Sequence, residues 1–497
     1  MKKISIEKIL YIFMILLSFL FVIFLFNISI IPIKYLILII ILISLWLILL
    51  YFLLVFKNGK NNSKKIIGYI ISLFLVILMI TIFYYTSVTL GFFKSFKNNR
   101  YMEENYLVLI LENSNYKEVY DLNNEKIGYL SNELTNINKA INDLNEKINL
   151  ENKQYKEYDK LFNDLYNNII NAIIIEQSSY DMISENKEYK NLKVLYNVSL
   201  ELELEDNYTK IDVTNDTFIV FISGIDSYGK ITNKARSDVN MLAVINPRTK
   251  QILLLSIPRD YYVQLSGTTG LKDKLTHAGI YGIDTSINTI ENLLDKKINY
   301  YLKVNFSSLE KIVDAIGGVD VYSKYEFISI TNHHFSKGYN HLNGNEALIF
   351  SRERYNLPGG DITRGENQRA VIDGIIRKVT SATVITKYVS LLNSLKNSFQ
   401  TNMEDINILK FIKMQLNDMA SWNITSYGLT GTDSSNYTYS YKDAKLYVMI
   451  PNEDSIVEAK ELIAKVYNNQ ILESSFDKEA GNIKNPTLIA PKSGVIN

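Results

Sequence analysis

The chain has 497 residues, enough for more than one domain. Its formal net charge of +1 supplies no basic field to attract nucleic acid. It has no cysteine, which excludes disulfides, thiolate metal sites and thiol catalysis.

Three apolar runs open the chain: Ile9–Ile31, Tyr35–Phe56 and Ile66–Phe93. Each exceeds the ~20 residues a helix needs to cross a bilayer. They are apolar all round, and the first is too long for a cleaved signal. Lys2, Lys3 and Lys8 precede the first run; Lys57, Lys60, Lys64 and Lys65 separate the second from the third. The positive-inside rule puts both lysine groups in the cytoplasm. Three spans then leave everything beyond about Lys94 outside the cell, with Lys94, Lys97 and Arg100 as a minor counterweight.

Residues 96–212 read as a small extracellular α/β module between the spans (1–95) and a main domain (213–475). Tyr106–Leu111 and Ile127–Leu130 are compact apolar strands. Leu134, Ile137, Ile141, Leu144 and Ile148 recur at helical spacing, as do Tyr158, Leu161, Phe162 and Leu165. Ile169–Ile175 reads as a buried strand or a helix end, and Val194–Leu204 as a last strand. No catalytic constellation appears here, so a spacer or docking role is expected.

In the main domain, strand Phe218–Ile222 runs into Gly224-Ile225-Asp226. Strands Val239–Ile245 and Ile252–Ile257 flank the turn around Arg248. Hairpin geometry places residue 238 across from about 258, so Asp238 and Arg259 become neighbours at its open end. Asp226 reaches the same rim if its strand lies alongside, and Arg236 joins it. Two close carboxylates repel unless they share a cation or proton. Hard oxygens with few neighbours suit Mg²⁺, which completes its shell with water and phosphate. A structural ion-pair cluster is the competing reading.

Asp284–Leu294 and Phe306–Ile316 read as helices, the second stopped by Gly317-Gly318. Lys274 precedes the first of them and reads either as a residue reaching the site or, equally, as a solvated lysine. Apolar residues dominate this part, which permits a lipid slot between helices and sheet. His333-His334 with His341 lacks the carboxylate spacing of a zinc site. Of nine arginines, eight lie between Arg236 and Arg377, in a chain with 44 lysines. Arginine resists replacement by lysine where a planar fork grips phosphate oxygens. Arg352 and Arg354 alternate in Ser-Arg-Glu-Arg and, at strand spacing, would face one way. Asp361 reads as the N-cap of a helix to about Val379, with Arg364 and Gln368 on one face near its start. Such a start also favours an anion. Arg369 and Arg377 fall off that face and read as solvated surface. Asp454–Val466 is an amphipathic helix through Ile456, Val457, Ile463 and Val466, and residues 476–497 read as a disordered polar tail.

Eight motifs occur in order: Gly-Ile-Asp226, Arg236-Ser-Asp238, Ser-Ile-Pro-Arg259-Asp260, Lys274-Leu-Thr-His-Ala, Ile-Gly-Gly-Val319, His-Leu-Asn-Gly344, Ser-Arg352-Glu-Arg354-Tyr and Asp361-x-x-Arg364-x-x-x-Gln368. Together they resemble the LytR-CpsA-Psr (LCP) family, and the three spans resemble its CpsA-like capsule branch. The resemblance implies an α/β fold: an α/β/α domain with a central mixed sheet and a slot for a polyprenyl chain. It implies phosphotransfer of a glycopolymer, such as capsular polysaccharide or teichoic acid, from polyprenyl pyrophosphate to peptidoglycan or another wall acceptor. By similarity, Asp226 and Asp238 would hold Mg²⁺, and Arg236, Arg259, Arg352, Arg354, Arg364 and Gln368 would grip the pyrophosphate. Other expected partners are the lipid bilayer and polysaccharide-synthesis machinery, with no nucleic acid. A pyrophosphatase and a non-catalytic regulator or scaffold, as such proteins are often labelled, are the alternative readings.

Overall fold

The protein is described here from a computed structural model, which covers residues 5–28, 31–56, 62–96, 101–130, 136–184, 190–203, 211–226, 231, 234–381, 384–396, 398–442 and 444–474. Leu134, Leu204, the charges Lys2, Lys3, Lys57, Lys60, Lys97 and Arg100, and the tail 476–497 lie outside the described residues.

The three apolar runs are helices: α1 (Ile6–Ile28), α2 (Ile33–Leu50, prolonged by a π turn over Tyr51–Val55) and α3 (Asn62–Phe96). All three are long and apolar enough to cross a membrane. Their shared seam buries Met14, Leu36, Leu50 and Leu75. Phe19, Leu38 and Leu73 point outward, as side chains facing hydrocarbon do.

The next segment folds as a five-stranded sheet in the order β3-β2-β4-β1-β5. The strands are β1 (Tyr101–Leu111), β2 (Lys126–Leu130), β3 (Glu151–Tyr155), β4 (Ala172–Glu176) and β5 (Leu192–Glu203). Helix α4 (Ile137–Asn145) packs its Ile137, Ile141 and Leu144 on one face. Helices α5 (Tyr158–Tyr166) and α6 (Gln177–Ser184) cover the other through Leu161, Phe162 and Ile183. Strand β3 carries Glu-Asn-Lys-Gln-Tyr and buries only Tyr155. An edge strand with one buried side chain leaves no alternation to read.

The main sheet contains β6 (Phe218–Ile225), β7 (Ser237–Asn246) and β8 (Gln251–Ile257). A short pair follows, β9 (Tyr262–Val263) and β10 (Asp273–Lys274), then α7 (Leu275–Ala278) and α8 (Ile283–Leu294). Strand β11 (Tyr300–Asn305) and α9 (Phe306–Ala315) come next. Two small hairpin-like pairs, β12 (Val319–Ser323) with β15 (Gly338–Leu342) and β13 (Phe327–Ile328) with β14 (His334–Phe335), lead to α10 (Gly344–Arg352) and α11 (Asp361–Thr380). The chain ends through α12 (Val384–Leu395), β16 (Gln400–Thr401), α13 (Asp405–Asp418), β17 (Asn423–Gly428), the pair β18 (Gly431–Asn436) and β19 (Leu446–Pro451), and α14 (Glu453–Tyr467).

The sheet order is β16-β11-β6-β7-β8-β17, with β6-β7-β8 antiparallel and β11 and β17 added in parallel. Helices α8 and α14 pack Ile290, Leu294, Ile456 and Ile463 against Phe221, Leu242 and Leu253. The opposite face carries Met241 and Leu254 and is covered by Ile372 and Ile376 of α11 and Phe411 of α13. This is an α/β/α sandwich around a mixed sheet, as the resemblance implied.

Three sequence expectations are corrected. Val457 is 54% exposed, because α14 turns Ser455, Ile456 and Ala459 inward instead. Arg369 is buried, not solvated; it hydrogen-bonds Ser256 of β8 and lies where a Cβ on Gly428 would be, tying α11 to the sheet. Ser351-Arg352-Glu353-Arg354 is no strand: α10 ends at Arg352 and Arg354 stands in the following loop.

Candidate active site

The β6–β8 meander brings the first set of charges together. Asn240 pairs with Ile257 and Met241 with Ser256, which carries Asp238 to the level of Arg259. Arg259 Nη1 donates to Asp238 Oδ1 at 2.9 Å. Ile225 pairs with Ser237 after an irregularity at Gly224, so Asp226 emerges at the same edge. Gly224 is required there, since a Cβ would lie 2.8 Å from the Cβ of Val239.

The second set comes from α10, α11 and the loop between them. Arg352, at the C-terminus of α10, donates to Asp226 Oδ2 at 3.4 Å and stacks on Phe306, 4.2 Å from the ring centre. Arg354 lies 4.7 Å from the ring centre of Tyr355. The chain turns at Gly359 and Gly360, both with positive φ. Gly360 occupies the cap position, and Asp361 is the first helical residue rather than the N-cap. Asp361 instead forms an ion pair with Arg364 one turn on. Gln368, a further turn on, donates to Ser351 O at 3.3 Å and so ties α11 to the end of α10.

These groups surround one cavity of about 270 Å³. Its mouth carries Asp226, Asp238, Arg259, Arg352, Arg354, Arg364 and Gln368. Its walls are Ile222, Val239, Val304, Leu309, Leu348 and Val371, with Ile372 and Phe306. A charged rim thus opens on an apolar interior formed between β6, β7, β11 and the helices α9, α10 and α11.

Two expected site residues stand apart from that wall. Lys274 pairs with Asp260 at 2.9 Å. Asp260 in turn lies 3.5 Å from Arg259 Nε, so Lys274 sits behind Arg259 and not in the cavity. Arg236 is half-buried beside the rim and acts on Asp226 through its charge.

The electrostatics follow from this packing. Burial raises the Asp226 carboxyl above its ordinary value; Arg352 opposes the rise and Asp238 adds to it. Burial works against the Arg259 charge, but Asp238 and Asp260 outweigh it and hold the guanidinium firmly protonated. Burial lowers Arg364, partly offset by Asp361. A mouth with several crowded guanidinium groups and an acidic pair has a use for an anion that binds the first and a cation that binds the second. Asp226 and Asp238 could hold a hard divalent ion that takes its other ligands from substrate and water. Among the described residues no group of three His, Cys, Asp or Glu side chains converges, which leaves such an ion dependent on the substrate. The histidines are engaged elsewhere: His277 with Asp273, His333 with Glu346, His334 with Glu326 and His341 with Asp320.

Sequence reasoning missed three contributors. Thr276 donates to Asp238 Oδ1 at 3.2 Å, beside the lysine that drew attention. Phe306 supplies the platform under Arg352. Glu353, buried between the two arginines, accepts the N–H groups of Arg354, Tyr355 and Asn356 on Oε1 at 2.9–3.1 Å. Its Oε2 accepts Ile330 N–H at 2.8 Å. A lone Glu between two arginines reads as their counter-ion; only the fold shows that it organises backbone.

A mixed-sheet α/β/α domain with a charged mouth on an apolar cavity is the class that fold and site define. The chain belongs to the LytR_cpsA_psr family, whose family model matches residues 175–456, more than half of its length. The match begins in β4 of the five-stranded sheet and ends in α14. Among its relatives is the polyisoprenyl-teichoic acid–peptidoglycan teichoic acid transferase TagU of Bacillus anthracis, 40% identical over 185 residues, 37% of this chain and 60% of that protein. The TagU of Bacillus cereus (strain ATCC 14579) is 36% identical over 230 residues, 46% of this chain and 74% of that one. The chain thus spans 60% of the length of the B. anthracis relative. Among solved structures, B. subtilis TagV aligns at 27% identity and a TM-score of 0.43, over 52% of this chain and 99% of its own.

Proposed function

We propose that the protein is a membrane-anchored transferase that moves a glycopolymer from polyprenyl pyrophosphate to peptidoglycan or another wall acceptor. The observation that carries this reading is a cavity lined by seven charged or polar groups together with apolar side chains. A diphosphate on an oily tail has the matching polarity. The names of the TagU relatives point to the same chemistry with teichoic acid as cargo. Capsular polysaccharide is the cargo that the three-span arrangement favours.

In this reading the polyprenyl chain lies along Val304, Leu309, Leu348 and Val371. Arg259, Arg352, Arg354 and Arg364 grip the diphosphate oxygens. An acceptor hydroxyl attacks the phosphorus bonded to the sugar, the bond from that phosphorus to the bridging oxygen breaks, and polyprenyl phosphate leaves. Phosphoryl transfer of this kind depends on positioning and on neutralising oxygen charge more than on covalent help. Asp226, whose carboxyl burial raises, takes the hydroxyl proton in the metal-free site, since a carboxylate engaged by a metal is a poor base. Magnesium, when bound by Asp226 and Asp238, supplies further neutralisation of the same oxygens.

The catalytic domain faces outward in this proposal. Lys34 and Tyr35, in the first turn of α2, donate to the carbonyls of Asn417 and Leu416 at the end of α13. At the end of α3, Phe92 and Phe93 pack on Leu392 of α12, and Thr89 meets the Tyr388 hydroxyl at 2.8 Å. Both ends therefore lie on the domain's side of the bundle. Lys65 and Glu7 pair at 2.7 Å at the other.

The test is transfer of lipid-linked glycan to peptidoglycan in vitro. Asp238→Ala and Arg259→Ala should each lower it by about a hundredfold or more while circular dichroism stays unchanged. Wild-type rates in either variant would reject the assignment.

A further inference from the structure

The connection between β6 and β7 carries Arg236 and delivers Asp238. Its last described stretch, residues 234–236, is gripped from two sides. Ala235 N–H donates to Gly279 O at 3.1 Å. The approach is so close that a Cβ on Gly279 would lie 2.3 Å from Ala235 O. Lys234 points the other way, into the five-stranded sheet. Its Nζ lies 3.2 Å from Glu104 Oε2 and 3.2 Å from Glu176 Oε1. Glu104 is on β1 and Glu176 ends β4, two neighbouring strands. The three side chains are only 6%, 3% and 4% exposed.

Stability is a weak reason for such a cluster. Desolvating three charges offsets most of their attraction, and apolar residues of similar size often serve as well. What a buried charge cluster does secure is position, because any displacement strands a charge without its partner. Here the position secured is two residues from Arg236 and four from Asp238. We propose that Lys234, clamped by Glu104 and Glu176, is a positioning residue that sets Arg236 and Asp238 at the cavity mouth, and that this is what the five-stranded module contributes to the reaction. Only its kinetic part rests on the transferase reading.

The clamp has a titratable component. Burial raises the Glu176 carboxyl to about 7, with Lys234 opposing and Glu104 adding. The other groups that face it are Ser178 of α6, Tyr106 of β1 and Tyr158 of α5. The grip therefore changes charge near neutral pH.

The experiment uses the full chain in detergent micelles and reads amide exchange and transfer kinetics together. Glu104→Gln/Glu176→Gln keeps side-chain volume and polar contacts while removing both charges. It should speed exchange at residues 235–239 by about tenfold or more, with residues 242–246 unchanged. It should lower kcat by about tenfold or more with KM within about threefold, and abolish any kinetic pKa near 7. Lys234→Met should do the same, and Lys234→Arg should restore at least part of the rate. Wild-type exchange and wild-type kcat in the double glutamine variant would overturn the proposal, whatever Lys234→Met does. If the wild type itself transfers nothing, the transferase reading falls, and the exchange result alone decides whether the clamp holds the loop.

Discussion

Single residues decide how the mouth of the cavity is built. Asp238 and Arg259 were legible from the sequence, because a two-stranded hairpin with a known turn fixes which residues face each other; their 2.9 Å contact follows. Arg352 and Arg354 both line the cavity, but from a helix end and a loop and not from the strand their spacing suggests. Their alternation imitates a strand, while Ala347, Leu348 and Phe350 before them pack as a helix. Between them Glu353 fixes the loop that follows α10, accepting the N–H groups of Arg354, Tyr355 and Asn356 and tying them to Ile330 N–H, and both arginines line the cavity. Burial would raise this carboxyl, but those N–H groups win and hold it below its ordinary value. A depressed pKa contributes stability that is complete above the usual carboxylate range and disappears as pH falls through the depressed value. Glu353→Ala should therefore cost roughly 3 kcal/mol in urea unfolding near neutral pH. The difference from wild type should shrink in acid, and an equal difference at low pH would show that packing, not charge, is the cause.

At the scale of elements, apolar periodicity was a good guide where one face is buried and a poor one elsewhere. Helices α4, α5 and α8 were visible for that reason, whereas the membrane helices showed as unbroken apolar runs and α9 through its Gly317-Gly318 stop. Strands β17 and β18 were not: Asn-Ile-Thr-Ser-Tyr-Gly and Gly-Thr-Asp-Ser-Ser-Asn carry almost no apolar alternation. Strand β17 is placed by β8, far back in the sequence, and β18 by β19, the next strand of the chain. Helix α14 shows the limit within one element, since Ile456 and Val457 look equally apolar but only Ile456 meets the sheet. Ile463→Ala, at a fully buried position, should destabilise the domain by roughly 2–4 kcal/mol. Val457→Ala, at an exposed one, should stay within about 0.5 kcal/mol. Chemical denaturation of the two variants side by side checks this, and equal losses would place α14 differently on the sheet.

In the whole molecule a bundle of three membrane-length helices is joined to a domain whose cavity combines charged and apolar side chains. Contacts from both the start of α2 and the end of α3 hold that domain at one end of the bundle. A reporter enzyme fused after Ser114 should be active only outside the cytoplasm, and cytoplasmic activity would invert the topology. None of these long-range contacts could be read from the chain, because they join segments more than 290 residues apart. The central claim is that the arginine-rimmed cavity holds a polyprenyl diphosphate or its monophosphate product. Mass spectrometry of lipid retained by the purified full-length protein tests it most directly. Polyprenyl phosphates should accompany the wild type and be depleted from Arg259→Ala/Arg352→Ala. Bulk phospholipid alone in the wild type, or equal polyprenyl phosphate in both, would contradict it.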